Sequence, residues 1–396
     1  MKRILVLPLM LLFCLSHAQK DIQKKFQAML IDVADGGTIY FPEGHFSFDG
    51  SLSMDGKSNI IIRGAGPEKT ILSFKGQVTG AEGLKITDGT NITVENMTIH
   101  DAKGDGIKVQ KVDGIILRNL VVGWTAGPSE ENGGYGFYPV QCSQVLIENC
   151  VAHGASDAGI YVGQSKYIVV RNSKAFENVA GIEIENSLYA DVYQNEAYNN
   201  TGGILIFDLP DLIQKEGGYV RVFDNIIRDN NHRNFAPKGN IVGKVPQGTG
   251  VMILATRNVE VFENKIINNI TAGSAIVSYY ITENPITDKD YKPFPHGIYF
   301  HDNYFERPRV RATGKGRMGK MFRFKLRFGK DVPHIIYDGI EDDTMKDRNI
   351  CILNNTNATF VNIDAGNNFK NKSRDISPYS CEGRALDPVE LTISQR

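Results

Sequence analysis

The chain has 396 residues, in which 44 Lys and Arg stand against 45 Asp and Glu for a net charge of -1. With 41% hydrophobic and 22% charged residues it is neither disordered nor fibrous, and the near-neutral balance argues against a dedicated nucleic-acid binder. Its 40 glycines exceed ordinary usage and point to many short strands joined by tight turns.

The first eighteen residues read as an address. Lys2 and Arg3 precede an apolar run, Ile4–Leu15, and then Ser16-His17-Ala18. That order describes a secretory signal peptide with cleavage after Ala18. The run is too short to span a bilayer, which takes about 20 residues, and no later stretch is long enough, so a secreted or periplasmic protein without a membrane span is expected. Four cysteines remain: Cys142, Cys150, Cys351 and Cys381. An oxidising compartment permits disulfides. Cys351 with Cys381 is a plausible staple of the tail, whereas Cys142 and Cys150 flank one strand and could be merely buried. Neither C-x-x-C nor H-x-x-x-H occurs, so no metal site is expected.

Next comes Asp21–Val33, with Ile22, Phe26, Met29, Leu30 and Val33 at helical spacing. This predicts an amphipathic helix that caps the following element. Gly37–Gly44 reads as a first strand and turn. A short phrase, Gly followed by alternating apolar residues, then recurs at Gly83, Gly106, Gly136, Gly159, Gly181, Gly203 and Gly250, with Gly297 as a later copy. Most intervals are 22 to 23 residues; the two of 47 read as double periods. Each period holds a second strand ending in Asn: Asn119, Asn149, Asn172, Asn195, Asn225 and Asn264. Alternation of apolar and polar residues means strands with one buried face. A strand-and-turn period of this length fits one coil of a parallel β-helix, whose stacked coils close a continuous core. Asparagine at the corners can stack on its copies and tolerates a left-handed backbone. The fold class expected is therefore all-β, a single parallel β-helix with an N-terminal helical cap.

Two segments rich in Pro, Gly and charge, Asp208–Gly218 and Asn230–Gln247, read as loops leaving one side of the solenoid. Arg307–Lys330 holds ten Lys and Arg and no acid. Its core, Met321–Phe328, alternates apolar with basic residues and predicts a strand with one basic face. The organisation expected is a leader over 1–18, the solenoid over 19–305, and an extension over 306–396 that packs on the solenoid or ends it.

Stacking coils turns sequence offsets into columns. Two residues after each Gly, pointing out, come Lys85, Lys108, Tyr138, Tyr161, Glu183, Leu205 and Met252; four after come Thr87, Gln110, Val140, Gly163, Glu185, Phe207 and Leu254. Lys85 to Glu183 spans four rungs, roughly 19 Å at the inter-strand spacing. This makes a candidate groove for an acidic polysaccharide. Lysines would neutralise uronate carboxylates, with Lys108, Tyr138, Tyr161 and Glu183 as candidate catalytic groups of a lyase or epimerase. Lys85, Gln110, Tyr135 and Glu185 would bind substrate. Glu183 and Glu185 on one strand could also serve a glycoside hydrolase. His153 and Asp157, in the turn before Tyr161, form a further acid/base candidate. Asp105 before Gly106 and Asp208 after Phe207 read as turn or loop anchors; Asp208 with Asn186 is too little to support calcium. No cofactor is expected. A binding module without catalysis, holding glycan or a partner, is the rival reading.

These coils resemble the right-handed parallel β-helix, pectate-lyase-like superfamily. More narrowly, Arg63–Pro67, Gly154–Gly163, Gly181–Ser187 and Asn234–Ile241 resemble a family of secreted β-helix repeat proteins, which implies export and a second secreted protein as a possible partner. Tyr135-Gly136-Phe137-Tyr138-Pro139-Val140-Gln141 is also similar to the Y-G-F-D-P-H-E motif of mannuronan C5-epimerase modules. Tyr135 and the Gly-Phe-Pro frame match. The family's catalytic Asp and His positions are Tyr138 and Val140, and its further Asp falls at Gly163, so the epimerase machinery is largely missing.

Overall fold

The computed structural model describes residues 21–312, 320–342 and 350–393. The leader read over 1–18, and Lys315 and Arg317 of the basic segment, lie outside them. The chain winds as a parallel β-helix whose coils stack in register. One eleven-stranded sheet contains the glycine strands, and a nineteen-stranded sheet contains two further ladders joined by the long strands Thr90–His100 and Asp113–Gly123. Every named strand pair is parallel, and crossovers between parallel strands are right-handed. The helix over 21–32 buries Phe26 and Leu30 against the first coil, closing the end of the apolar core as its spacing predicts.

The glycine period has a steric cause. A Cβ at Gly83 would stand 2.7 Å from the carbonyl oxygen of Gly106 on the next rung, and one at Gly203 would stand 2.6 Å from that of Gly250. At most copies Gly is needed because the neighbouring rung's backbone occupies the space a side chain would fill, and at Gly159 the Asn178 side chain fills it.

The 47-residue intervals have a different meaning from the one expected. Gly202–Phe207 pairs directly with Thr249–Leu254, so the first is one coil enlarged by the two excursions. Within the second, Ala272–Val277 is the missing copy, aligned on Thr249–Leu254. His296–His301 instead joins the other sheet beside Arg257–Phe262, so Gly297 is not a member of the glycine column.

The asparagines occupy two adjacent columns. Asn119, Asn149 and Asn172 take the left-handed corner. Asn195, Asn225 and Asn264 sit one position later and point inward, continued by Asn303 and Asn355. Each buried amide donates to the carbonyl oxygen of the next, 2.9 Å from Asn225 to Asn264. A second ladder, Asn178–Asn200–Asn230–Asn269, closes another corner. Cys150 lies in the inward column before Ser173 and is a free buried thiol, as is Cys142. Cys351 and Cys381 form the disulfide.

The ladders continue past residue 305 through Ile335–Tyr337, Ile350–Leu353 and Phe360–Asn362, so much of the extension adds rungs. Met321–Lys325 is a π-helical turn rather than the expected strand. Phe322 and Leu326 are buried against the outer face of the eleven-stranded sheet, and that anchoring outweighs the alternating pattern. From the disulfide, the last described residues run back over the other sheet. Backbone amides of Leu386, Val389 and Thr392 donate to Glu260, Asp191 and Gln144.

Candidate functional site

The outward columns of the eleven-stranded sheet stand in the register read from the sequence. Lys85 pairs with Lys108, Lys108 with Tyr138, Tyr161 with Glu183, and Glu183 with Leu205. Burial changes sharply along them. Lys85, Gln110, Lys108, Tyr135 and Tyr138 are half-buried, and from Tyr161 onward every member of these columns through Val277 is buried. The covered half is a second apolar core in which Leu205, Phe207, Met252 and Leu254 meet Val242, Val245 and Tyr291 from the excursions and Phe322 from the π-helical turn.

At the boundary the structure gathers three tyrosines and a set of carboxyl groups. The rings of Tyr135, Tyr138 and Tyr161 lie 4.4 to 5.1 Å apart. Gly163 stands in the column between Val140 and Glu185. A Cβ there would collide with the Tyr161 ring, which lies across the vacant position. The Tyr161 hydroxyl thereby reaches the next coil and donates to Glu185 Oε1 at 2.7 Å. Asp157, from the turn before the same strand, accepts a hydrogen bond of 2.8 Å from Asn240 Nδ2. Glu183 is fully buried, and neither of its oxygens has a hydrogen-bond partner among the described residues.

Burial governs the titration of this cluster. It pushes Asp157 up to about 7, with the Glu185 charge adding to the effect. It raises Glu185 to about 7 against the stabilising bond from Tyr161, and it holds Glu183 well above the carboxylate range. Asp105 is raised to about 6 by burial, opposed by the Lys108 charge. The phenols of Tyr135 and Tyr161 are pushed well up by burial and nearby carboxylates, and Tyr138 to about 12. These tyrosines keep their protons.

Lys108 differs from its expected role. Its ammonium lies 3.7 Å from both Glu82 and Asp105, and 4.9 Å from the Tyr138 ring centre. It is therefore already engaged by carboxylates. Asp105 and Glu82, which the columns counted from each glycine left out, belong to the site because they precede Gly106 and Gly83 and pair with Lys108. Asp105 and Asp157 flank Gly134, whose absent Cβ would lie 3.7 Å from Asp105 Oδ1 and 3.9 Å from the Asp157 Cβ. Asn240 was also missed, because its excursion carries no repeat.

His153 does not join Asp157. It lies on the nineteen-stranded sheet, stacked on Phe176 at 5.3 Å and near His100 at 6.0 Å. Burial pulls its pKa down, and its charged neighbours are Glu177 and Asp101. The four-residue turn after it carries the chain around a corner between sheets, so nearness in sequence is not nearness in space. Asp208 anchors its loop, accepting from the Gly217 amide at 2.8 Å, while Asn186 holds Leu209 and Gln214. Among the described residues no group of three or more His, Cys, Asp or Glu is placed to hold a metal ion, and no helix is long and apolar enough to cross a membrane.

Comparison with known proteins agrees with this architecture. The family model for a right handed beta helix region matches residues 129–287, and that for rhamnogalacturonase A/epimerase, pectate lyase-like, matches residues 17–205. The chain has the right-handed parallel β-helix fold. Among solved structures it is similar to the A-module of mannuronan C-5 epimerase AlgE4 from Azotobacter vinelandii, with 16% identity over 84% of this chain and 90% of that one and a TM-score of 0.52. The AlgE6 A-module from the same organism gives 16%, 85%, 90% and 0.46. The catalytic unit of a GH87 alpha-1,3-glucanase from Streptomyces thermodiastaticus gives 15%, 84%, 50% and 0.41. At these identities the likeness is one of fold. No curated protein matches the sequence.

Proposed function

We propose that this β-helix is a carbohydrate-active enzyme that cleaves a polysaccharide lying on the open half of the eleven-stranded sheet, with Asp105 and Asp157 as its acid–base pair. The observation that supports it is the placing of these two carboxyl groups on either side of Gly134, at the boundary between open and covered face. Their environments differ. Asp157 is buried with a titration near 7, so near neutrality much of it holds a proton it can give to a leaving oxygen. Asp105 is more exposed and beside Lys108, so it ionises first and serves as base. Two carboxyl groups pushed apart in this way are the requirement of glycoside hydrolysis. Tyr138 offers a half-exposed ring to a sugar face. Tyr161 and Glu185 act behind, where the Glu185 charge keeps the proton on Asp157.

This reading turns the preferred chemistry from elimination or epimerisation of uronates towards hydrolysis. A lyase needs a free cation to neutralise the substrate carboxylate, and Lys108 is shared between Glu82 and Asp105. On the open face the charges of Lys85 and Lys108 are matched by Glu82 and Asp105, which favours a neutral or weakly charged glycan over an acidic one. The polymer lies outside the cytoplasm, where residues 1–18 direct the chain, and the reaction uses no cofactor. The test is a panel of neutral glucans, xylans and mannans beside pectate and alginate, followed both for new reducing ends and for ultraviolet absorbance of unsaturated uronate. Reducing ends from a neutral polymer without that absorbance support the proposal. Unsaturated product from pectate or alginate would replace it with a lyase.

A further inference from the structure

The open face ends against a wall built by three interlocked excursions. Asn240 of the 230–247 segment is tied to Asp157 at 2.8 Å. Behind it a Cβ at Gly202 would stand 3.0 Å from Val245, so this segment lies directly on the sheet. Lys244 donates to the Thr282 carbonyl and to Asn284, which joins the 230–247 segment to the 279–294 segment. Lys215 meets Asp288 at 2.8 Å, and Thr287 donates to Asp211, which join the 279–294 segment to the 208–218 loop. Tyr291 reaches the carbonyl of Asp208 and fixes the same junction from beneath. The apolar undersides of the cover bury Leu205, Phe207, Met252 and Leu254.

In two of the outward columns the change falls on the same rung: Asp105 and Tyr135 give way to Ala158 and Ala180, and Tyr138 to Tyr161 and Glu183, half-buried before it and buried after it. In the third the change comes one rung earlier, where half-buried Gln110 is followed by buried Val140, Gly163 and Glu185. The cleft is therefore open towards the N-terminal coils and blind towards the C-terminal ones, with Asp157 at the foot of the wall.

We infer that the cleft accepts the end of a glycan chain rather than its interior, so that the protein releases short products of uniform length from a chain terminus. The inference rests on the carbohydrate reading above and adds its mode. A chain laid along the sheet from Lys85 towards Asp157 meets Tyr135, Tyr138 and then the cover, and a polymer continuing in that direction would need the volume held by Asn240 and Val245. A groove open at both ends would instead accept internal segments and cut at random.

The experiment uses the full chain and the neutral polysaccharide on which turnover is found, with products sized by chromatography from the first turnovers. One product length dominating while the mean length of the polymer barely falls is the expected result. Oligosaccharides of the same linkage, capped chemically at one end or the other, form the second arm. One of the two caps is expected to lower turnover at least roughly tenfold, because a filled pocket cannot admit the added group. Replacing Asn234–Lys244 by a short Gly-Ser linker is expected to yield mixed lengths; if that variant fails to fold, the capped substrates decide the matter on the native chain. A ladder of products from the start, with both capped forms cleaved at the uncapped rate, overturns the blind cleft while leaving the enzymatic reading intact. Absence of turnover and of binding across the whole panel overturns the enzymatic reading itself.

Discussion

Along one column of the eleven-stranded sheet, the side chain two residues after each repeated glycine changes from Lys85, Lys108 and Tyr138 to Leu205, Met252 and Ala275, while the strands beneath keep the same parallel register. The backbone of a solenoid does not set the polarity of its outer face; what covers that face does. Over the N-terminal coils, as far as Tyr138, the outer column is polar and only half-buried. Where the chain leaves the coil at 208–218, 230–247 and 279–294, the same column becomes the floor of a second core. Asp157, Glu183 and Glu185 sit on the seam between the two, and burial there raises all three above the ordinary carboxylate range.

The sharpest way to test this division is at the seam. Asp157→Asn and Asp105→Asn are each expected to lower turnover by about 100-fold or more, the usual contribution of a positioned acid or base, with little change in thermal stability; equal turnover in both variants would remove them from the mechanism. Within the covered half, Leu205→Ala is expected to cost about 2–5 kcal/mol in denaturant unfolding. Lys85→Ala, in the same column of the open half, should stay within about 0.5 kcal/mol. Similar losses at both positions would mean that the cover does not bury the column as described.

Further out, the Cys351–Cys381 bond closes a separation of 30 residues. Replacing both cysteines by Ser should lower stability by about 3–4 kcal/mol on the chain-entropy account, measurable by calorimetry beside the native chain. Removing one amide from the inward ladder, Asn225→Ala, leaves its neighbours' buried groups unmatched and should cost about 1–3 kcal/mol. A further expected effect is the pH dependence of stability. Asp157 and Glu185 titrate near 7 when folded, above their ordinary values near 4 in the unfolded chain. The folded state therefore binds more protons between these limits. Stability should fall as pH rises from about 4 to about 7 and level off above, and Glu185→Gln should flatten the slope.

The coil period, the helical cap, the inward and outward columns and the C-terminal staple were all legible, because repetition and alternation are properties of sequence. Asn119 and Asn195 looked alike yet occupy different columns, since the left-handed corner can be taken by Asn in one coil and by Gln194 in another. The cover was not legible. Val242, Val245 and Tyr291 come from segments without a period, and their contacts with Leu205 and Leu254 are set by tertiary packing alone. For the same reason Met321–Phe328 read as a strand, although Phe322 and Leu326 are recruited to that core from a helical turn. The site was half legible: Tyr138, Tyr161 and Glu185 lie in the columns their offsets implied, whereas Asp157 was paired with His153, which lies on the other sheet. Asn240 came from an aperiodic loop, and Asp105 read as a turn residue until its pairing with Lys108 was seen.

The most direct measurement of the central claim is the pH dependence of kcat/KM on the preferred neutral polysaccharide. With Asp105 ionising near 6 and Asp157 near 7, the profile should be a narrow bell between those values, and Asp157→Asn should remove its basic limb along with most of the rate. A rate that keeps rising above pH 8, or a basic limb that survives in Asp157→Asn, would contradict the assignment of this carboxyl pair.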